Sequence, residues 1–301
     1  MKDRAQRLIT LAQELGFAAV GIARIGPAES FEIFEQWLQS GRAAEMDYLR
    51  LRRIPRQDPR ELLPEARSII CVAARYPGNP SPGAGFAMHA RGADYHDVIR
   101  DKLREMAQSL RRERPSMKYR ICVDSAPILE REWAVRAGIG WIGRQGQIVN
   151  PQHGACLLLG ELLVDIDLTP SERVPSQCGE CRRCVQACPA AAIGDDGRVD
   201  ARRCISYLTV EHKDAVPTEL RGLIGKALFG CDACTTVCPK NPKGDEGILP
   251  ELRARDMPTA REILNMAEEA FLKQFAGTAV LRTGLERLKR NARLTLHRQN
   301  A

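Results

Sequence analysis

The run Cys178-Gly-Glu-Cys181-Arg-Arg-Cys184-Val-Gln-Ala-Cys188-Pro189 decides how this chain is built. Its spacing, C-x2-C-x2-C-x3-C-P, is that of bacterial ferredoxins. There, three thiolates wrap one 4Fe–4S cube and the fourth ligates a second. A second run follows, Cys231-x2-Cys234-x3-Cys238-Pro239. The same template asks for a cysteine at position 228, where Leu228 stands, so the missing ligand comes from elsewhere. Cys204 is the one cysteine of this section left unassigned. The spacing therefore divides the ligands into Cys178, Cys181, Cys184 and Cys238 for one cluster, and Cys188, Cys204, Cys231 and Cys234 for the other. The competing reading is two structural zincs, which also use C-x2-C pairs but rarely an interleaved run closed by proline.

Eight of the eleven cysteines lie between Cys178 and Cys238. The other three, Cys71, Cys122 and Cys156, sit in apolar strands and read as small buried hydrophobes. An odd total argues against complete disulfide pairing. The N-terminus has no signal-peptide core, so a cytoplasmic location is expected, where clustered thiols bind metal. The longest apolar run, residues 155–164, is too short to span a bilayer and contains Glu161, so no membrane association is expected. Hydrophobic residues at 44% and charged residues at 28% describe a folded chain, and a net charge of +7 permits an anionic partner without requiring one.

Working outward, residues 1–170 alternate helices and strands and read as an α/β sandwich of good size; the class is α+β. Helices are expected over 5–15, 31–38, 94–112 and 128–137. Strands are expected over 17–22, 68–74 and 119–123, with 147–150 and 155–164 forming a hairpin. Residues 171–245 form a small ferredoxin-like domain held by what its cysteines bind, with short helices at 201–208 and 218–227. Residues 246–301 form a helical tail, with helices over 260–270 and 284–297. Two clusters in series make a one-electron wire, and its attachment to a larger domain implies an acceptor held there.

Three features of that larger domain carry chemistry or imitate it. Gly138-x-Gly140-x-x-Gly143 spells a dinucleotide fingerprint, but a helix precedes it and an extended stretch follows, the reverse of what that fold requires. Its glycines read instead as a helix stop and a close-packed turn around Trp141. Asp124 ends a strand ahead of Ser125-Ala-Pro127; it is either a helix N-cap or, if burial raises its pKa, a proton donor beside a redox centre. Arg50-Leu-Arg-Arg-Ile-Pro-Arg-Gln-Asp-Pro-Arg60 is either a solvated loop or a clamp on a large cofactor or on RNA.

Longer motifs carry a family resemblance. Val123-Asp-Ser-Ala-Pro-Ile-Leu-Glu-Arg-Glu-Trp133, Ala137-Gly-Ile-Gly-Trp-Ile-Gly143, Cys204-Ile-Ser-Tyr-Leu-Thr-Val-Glu-His212 and Phe229-Gly-Cys-Asp-Ala-Cys-Thr-Thr-Val-Cys-Pro239 resemble the signatures of the epoxyqueuosine reductases. The resemblance runs from near residue 5 to about residue 295. It implies a cobalamin domain similar to that of reductive dehalogenases, fed with electrons by two 4Fe–4S clusters. The reaction it implies is reduction of epoxyqueuosine to queuosine at the wobble position of tRNA. Electrons pass through cobalt to the epoxide while an acid protonates the departing oxygen.

By the same resemblance Asp124 is the proton donor. Arg56, Ile148, Leu159, Ser206, Cys231 and Asp232 contact cobalamin, and Lys213 contacts tRNA. His89-Ala-Arg-Gly-Ala-Asp-Tyr-His96 borders the pocket or begins a helix. No D-x-H-x-x-G motif is present, so no histidine replaces the lower base of cobalamin. Many relatives continue into helical HEAT-like repeats after Arg290-Asn291-Ala292; this chain is expected to be a short form whose basic 284–298 face meets phosphate. Lys240 stands where many relatives carry an aromatic residue. A monomer served by an external electron donor is expected. The alternatives are an electron-transfer partner protein and a dehalogenase-like enzyme acting on a small molecule.

Overall fold

The computed structural model describes residues 2–78 and 85–297. Most of the Pro77–Gly85 loop, and Arg298 of the basic tail, lie outside these residues. The centre of the N-terminal part is a four-stranded antiparallel sheet. Its strands are β1 (Ala19–Arg24), β2 (Ser68–Arg75), β3 (Tyr119–Cys122) and β6 (Leu157–Val164), in the order β1-β2-β6-β3. β2 is buried along its whole length because helices cover both faces. Ile70, Val72 and Ala74 face α1 (Lys2–Glu14) and α5 (Tyr95–Glu113), whose Leu8, Ala12, Ile99, Leu103 and Met106 complete one core. Ile69, Cys71 and Ala73 face α6 (Glu130–Arg136), where Trp133 is fully buried. The period-two alternation of a strand thus builds two cores from one run of apolar residues. Cys71, Cys122 and Cys156 are buried, as expected of small hydrophobes.

The expected hairpin is not formed. β5 (Ile148–Val149) pairs with β4 (Trp141–Ile142), and β6 pairs with β2 and β3. A turn closed by Asn150 and Gly154 separates β5 from β6 and sends them to different sheets. The glycine motif does what its context predicts. Gly138 caps α6 at φ +73°, and a Cβ on Gly140 would lie 2.1 Å from the Val149 carbonyl oxygen. Asp124 caps no helix: α6 begins at Glu130, with Leu129 in the N-cap position. The basic segment is not a loop but two short helices, α3 (Tyr48–Leu51) and α4 (Arg53–Gln57), following α2 (Phe31–Gln39).

The cysteine-rich part holds α7 (Arg183–Ala187), α8 (Ile205–Val210), α9 (Thr218–Ile224) and α10 (Ala233–Thr236). The expected helix over 260–270 breaks at Asn265 into α11 (Ala260–Leu264) and α12 (Glu268–Phe275). The last helix is α13 (Leu285–His297). These tail helices share a core with Phe86, Leu228 and Phe229, so they close over the junction between the sheet and the cysteine-rich part.

That packing takes part of the basic tail away from any phosphate-binding face. Arg290 donates to the carbonyls of Leu208, His212 and Asp214, Arg287 to that of Val210, and Arg282 to Asp94. These guanidiniums satisfy helix ends and carbonyls inside the molecule. No helix among the described residues is long and apolar enough to cross a membrane.

Candidate functional site

A cavity of about 440 Å³ lies between the sheet and the cysteine-rich part. Asp124, Ile148, Leu159, Ser206, Cys231 and Asp232, five far-apart stretches of sequence, all line it. Arg56 is buried but is not among the lining residues; it donates to the Arg52 carbonyl at 2.8 Å, and its charge reaches Tyr48 and Glu130. Lys213 is exposed. Its neighbour His212 is buried, with Nδ1 3.1 Å from Glu45 Oε2.

Electrostatic influence among the cysteines runs mostly within the two groups that the spacing suggests. Electrostatic influence links Cys184 and Cys238 to Cys178 and Cys181. It links Cys231 and Cys234 to Cys204 and Cys188. Burial and the neighbouring sulfurs push the Cys231 thiol up to about 11 and the Cys234 thiol up to about 12. Buried thiols that resist ionisation, as those of Cys204, Cys231 and Cys234 do, are held as thiolates by bound cations. No three His, Cys, Asp or Glu among the described residues converge on a single-ion site. A 4Fe–4S cube, with iron at alternate corners, holds its four thiolates farther apart than one ion does, so the donor set fits clusters.

Cys188, Cys204, Cys231 and Cys234 line the cavity, whereas Cys178 and Cys238 do not and pack against Trp141, Val149 and Ala155. Cys184 of the first group lies within electrostatic reach of Cys234 of the second, so the groups adjoin. Trp141 Nε1 donates to Cys178 Sγ at 3.2 Å, a bond that the motif's glycines make possible by letting the turn close.

The same cavity is lined by Asp124, at φ +48°, a left-handed conformation uncommon outside glycine and asparagine. Its side chain is 57% exposed, and that exposure is to the cavity. His96 Nε2 lies 2.9 Å from Asp124 Oδ2, and His96 Nδ1 lies 2.6 Å from Asp94 Oδ1. Tyr95 stacks on the His96 ring at 4.0 Å. Arg282 Nη2 donates to Asp94 Oδ2 at 2.9 Å, and Nη1 lies 3.0 Å from His96 Nε2.

Burial works against a charge on His96, but the hydrogen bonds and charges of Asp124 and Asp94 outweigh it and raise its pKa. Burial likewise works to raise Asp124, but the bond from His96 and the charges of His96 and Arg282 outweigh it, and the net shift is downward. Both shifts favour an imidazolium and a carboxylate over a neutral pair, so the two side chains share a proton across this contact. The expectation that burial alone raises Asp124 is corrected.

Sequence reasoning did not single out Glu130, which lines the cavity and accepts the Asp124 backbone N–H through Oε1. Burial and the nearby Asp124 charge push its carboxyl up to about 8. His96, Asp94 and Arg282 were visible as residue types but not as partners of Asp124, because their pairing spans 28 to 188 residues. The Asp124–His96 pair, with a protonated carboxyl beside it and a cysteine-built electron path across the cavity, can couple electron delivery to protonation of a leaving oxygen.

A family model described as 4Fe-4S double cluster binding domain matches residues 177–241, and one described as Epoxyqueuosine reductase QueG, DUF1730, matches residues 56–125. The chain is 38% identical over 309 residues to epoxyqueuosine reductase of Escherichia coli, covering 98% of this chain and 81% of the relative. It is 38% identical over 301 residues to that of Pseudomonas aeruginosa, covering 95% and 83%. The structure superposes with TM-score 0.90 and 30% identity on an epoxyqueuosine reductase solved with an epoxyqueuosine-modified tRNA-Tyr stem loop, covering 98% and 81%. This chain belongs to the epoxyqueuosine reductase family.

Proposed function

We propose that the protein reduces epoxyqueuosine in tRNA to queuosine. Residues 1–170 bind cobalamin and substrate, residues 171–245 carry two 4Fe–4S clusters, and residues 246–301 close the junction. The observation that carries this reading is one cavity lined both by Asp124 and by Cys188, Cys204, Cys231 and Cys234. Electrons and protons then reach the same bound group.

The residues present fit a corrin. Leu157, Leu159 and Ile148 offer an apolar floor, and Ser206 and Asp232 a polar rim. The Gln145 amide nitrogen is buried in this wall without a hydrogen-bond partner. An orphaned donor costs stability unless a ligand satisfies it, and the amide fringe of a corrin supplies acceptors. When bound, cobalamin supplies a two-electron nucleophilic reductant.

The chain's own residues do the rest. The clusters' thiolates hold the electron path. Tyr95 and Asp94 fix the His96 ring, and His96 holds a proton 2.9 Å from Asp124 Oδ2. As negative charge develops on the epoxide oxygen, Asp124 takes the proton from His96 Nε2 and hands it on.

The RNA side of this reading falls on α3 and α4. Arg50, Leu51, Arg52, Arg53 and Ile54 are all exposed, Leu51 at 83% and Ile54 at 61%. Tyr48, on the same turn, feels the charges of Asp124 and Glu211, so this stretch lies within electrostatic reach of the cavity. Cations suit phosphates, and apolar tips suit the faces of unpaired loop bases. Exposed Lys213, whose charge reaches Glu211, is a further cation on offer to RNA.

The test is anaerobic reconstitution with iron, sulfide, cobalamin and a strong reductant, followed by nucleoside analysis of tRNA carrying epoxyqueuosine. Queuosine, lighter by one oxygen, is expected. Loaded protein that leaves the epoxide intact contradicts the reading.

A further inference from the structure

Behind Asp124 lies a line of carboxyls that the reaction as described does not use. On β6, alternation puts Leu157, Leu159, Glu161 and Leu163 on one face. Leu157 and Leu159 line the cavity, so Glu161 is the next side chain inward. It stands in register with Cys71 of β2 and Cys122 of β3, is wholly buried, and has no hydrogen-bond partner on either oxygen. A carboxylate is not sustained in such a place, and burial holds the group neutral, well above the usual range. Glu130 lies nearer the cavity, on its wall, and is tied to Asp124 through that residue's backbone N–H.

The chemistry supplies the reason for such a group. Converting an epoxide to an alkene and water breaks two C–O bonds, forms one C=C bond, and consumes two electrons and two protons. The electrons come through the cluster domain. Both protons end on the same oxygen, and Asp124 carries one at a time, so it must be reloaded between the two cleavages. His96 holds one proton against it.

We infer that Glu130 is the second proton reserve, a positioning residue that reloads Asp124 and is itself refilled from solvent. This rests on the proposed reaction. Arg131 on α6, His96 on α5 and Arg56 on α4 face Glu130 and favour its ionisation; burial and the Asp124 charge outweigh them. Glu161 and the thiols of Cys71 and Cys122, on the strands behind, are held neutral by burial and add no opposing cation. The reserve is full below about 8 and empties as pH rises through it.

The experiment is the pH profile of turnover of the cluster- and cobalamin-loaded enzyme on epoxyqueuosine-bearing tRNA. The wild type is expected to lose kcat as pH rises through about 8. Glu130→Gln is expected to lower kcat by ~10- to 100-fold with KM for tRNA unchanged and no limb near that pH. Glu130→Asp, which keeps a carboxyl, should restore part of kcat with the limb displaced. A Gln variant that follows the wild-type profile overturns the inference. Should that variant fail to take up its cofactors, the Asp variant decides, and an undisplaced limb with full kcat overturns the inference equally. A wild type that makes no queuosine contradicts the proposed reaction itself; a wild type that works while indifferent to Glu130 contradicts only this inference.

Discussion

His96 Nε2 lies 2.9 Å from Asp124 Oδ2. That contact makes the cavity's acid a shared proton rather than a single side chain. His96→Gln removes the stored positive charge while keeping a hydrogen-bonding group. The expected outcome is a fall in kcat of ~10-fold or more, with cobalamin and clusters retained in the absorption spectrum. Unchanged turnover would show that Asp124 draws its proton elsewhere.

The same pair links folding to pH. His96 is raised by its two carboxylates, so its contribution is complete below its unfolded pKa of about 6.5 and is lost as pH rises through the folded value. Asp124 is lowered, so its contribution is present above its unfolded pKa of about 3.9 and is lost as pH falls through the folded value. Urea midpoints of the wild type should therefore decline more on the alkaline side than those of His96→Gln. Parallel curves would contradict the pairing.

Much of this was legible in the sequence, and the boundary has a physical cause. The cysteine groups could be read because cluster ligation fixes local spacing, and the Gly138–Gly143 motif because helix and strand context is local. The length of β2 followed from its continuous apolar run. The partners of Asp124 could not be read, since Asp94, His96 and Arg282 meet it only after α5 and the tail fold over the cavity. Part of the basic tail was hidden for the same reason: charge composition does not reveal that Arg287 and Arg290 spend their donors on α8 and the loop after it. Glu161 did leave a trace, as the one charge in the longest apolar run.

The turn around Trp141 makes a prediction about stability. A methyl on Gly140 would meet the Val149 carbonyl at 2.1 Å, and backbone cannot easily move there. Gly140→Ala should cost about 1–3 kcal/mol, read as a lowered urea midpoint. A neutral result would mean that β4 and β5 can separate.

Trp141 also tunes the outer cluster. Its N–H on Cys178 stabilises the more negative, reduced cluster, so Trp141→Phe should lower that cluster's potential by on the order of tens of mV. Electrochemistry of the loaded protein measures this, and an unmoved potential would remove the bond from the account.

The exposed stretch on α3 and α4 predicts how RNA is held. Leu51→Ser with Arg52→Ala should raise KM for tRNA several-fold with kcat nearly kept, and Arg52→Ala alone should flatten the salt dependence of binding by about one phosphate contact. Identical KM and salt slope would place the RNA elsewhere.

The central claim is that one cavity joins the cysteine electron path to the Asp124 acid to reduce an epoxide. Its most direct test is nucleoside mass analysis of epoxyqueuosine-bearing tRNA after incubation with the reduced, cobalamin-loaded wild type and with Asp124→Asn. The account predicts queuosine from the wild type and at least ~100-fold slower formation from the variant at equal cofactor content. Equal conversion by both would contradict it.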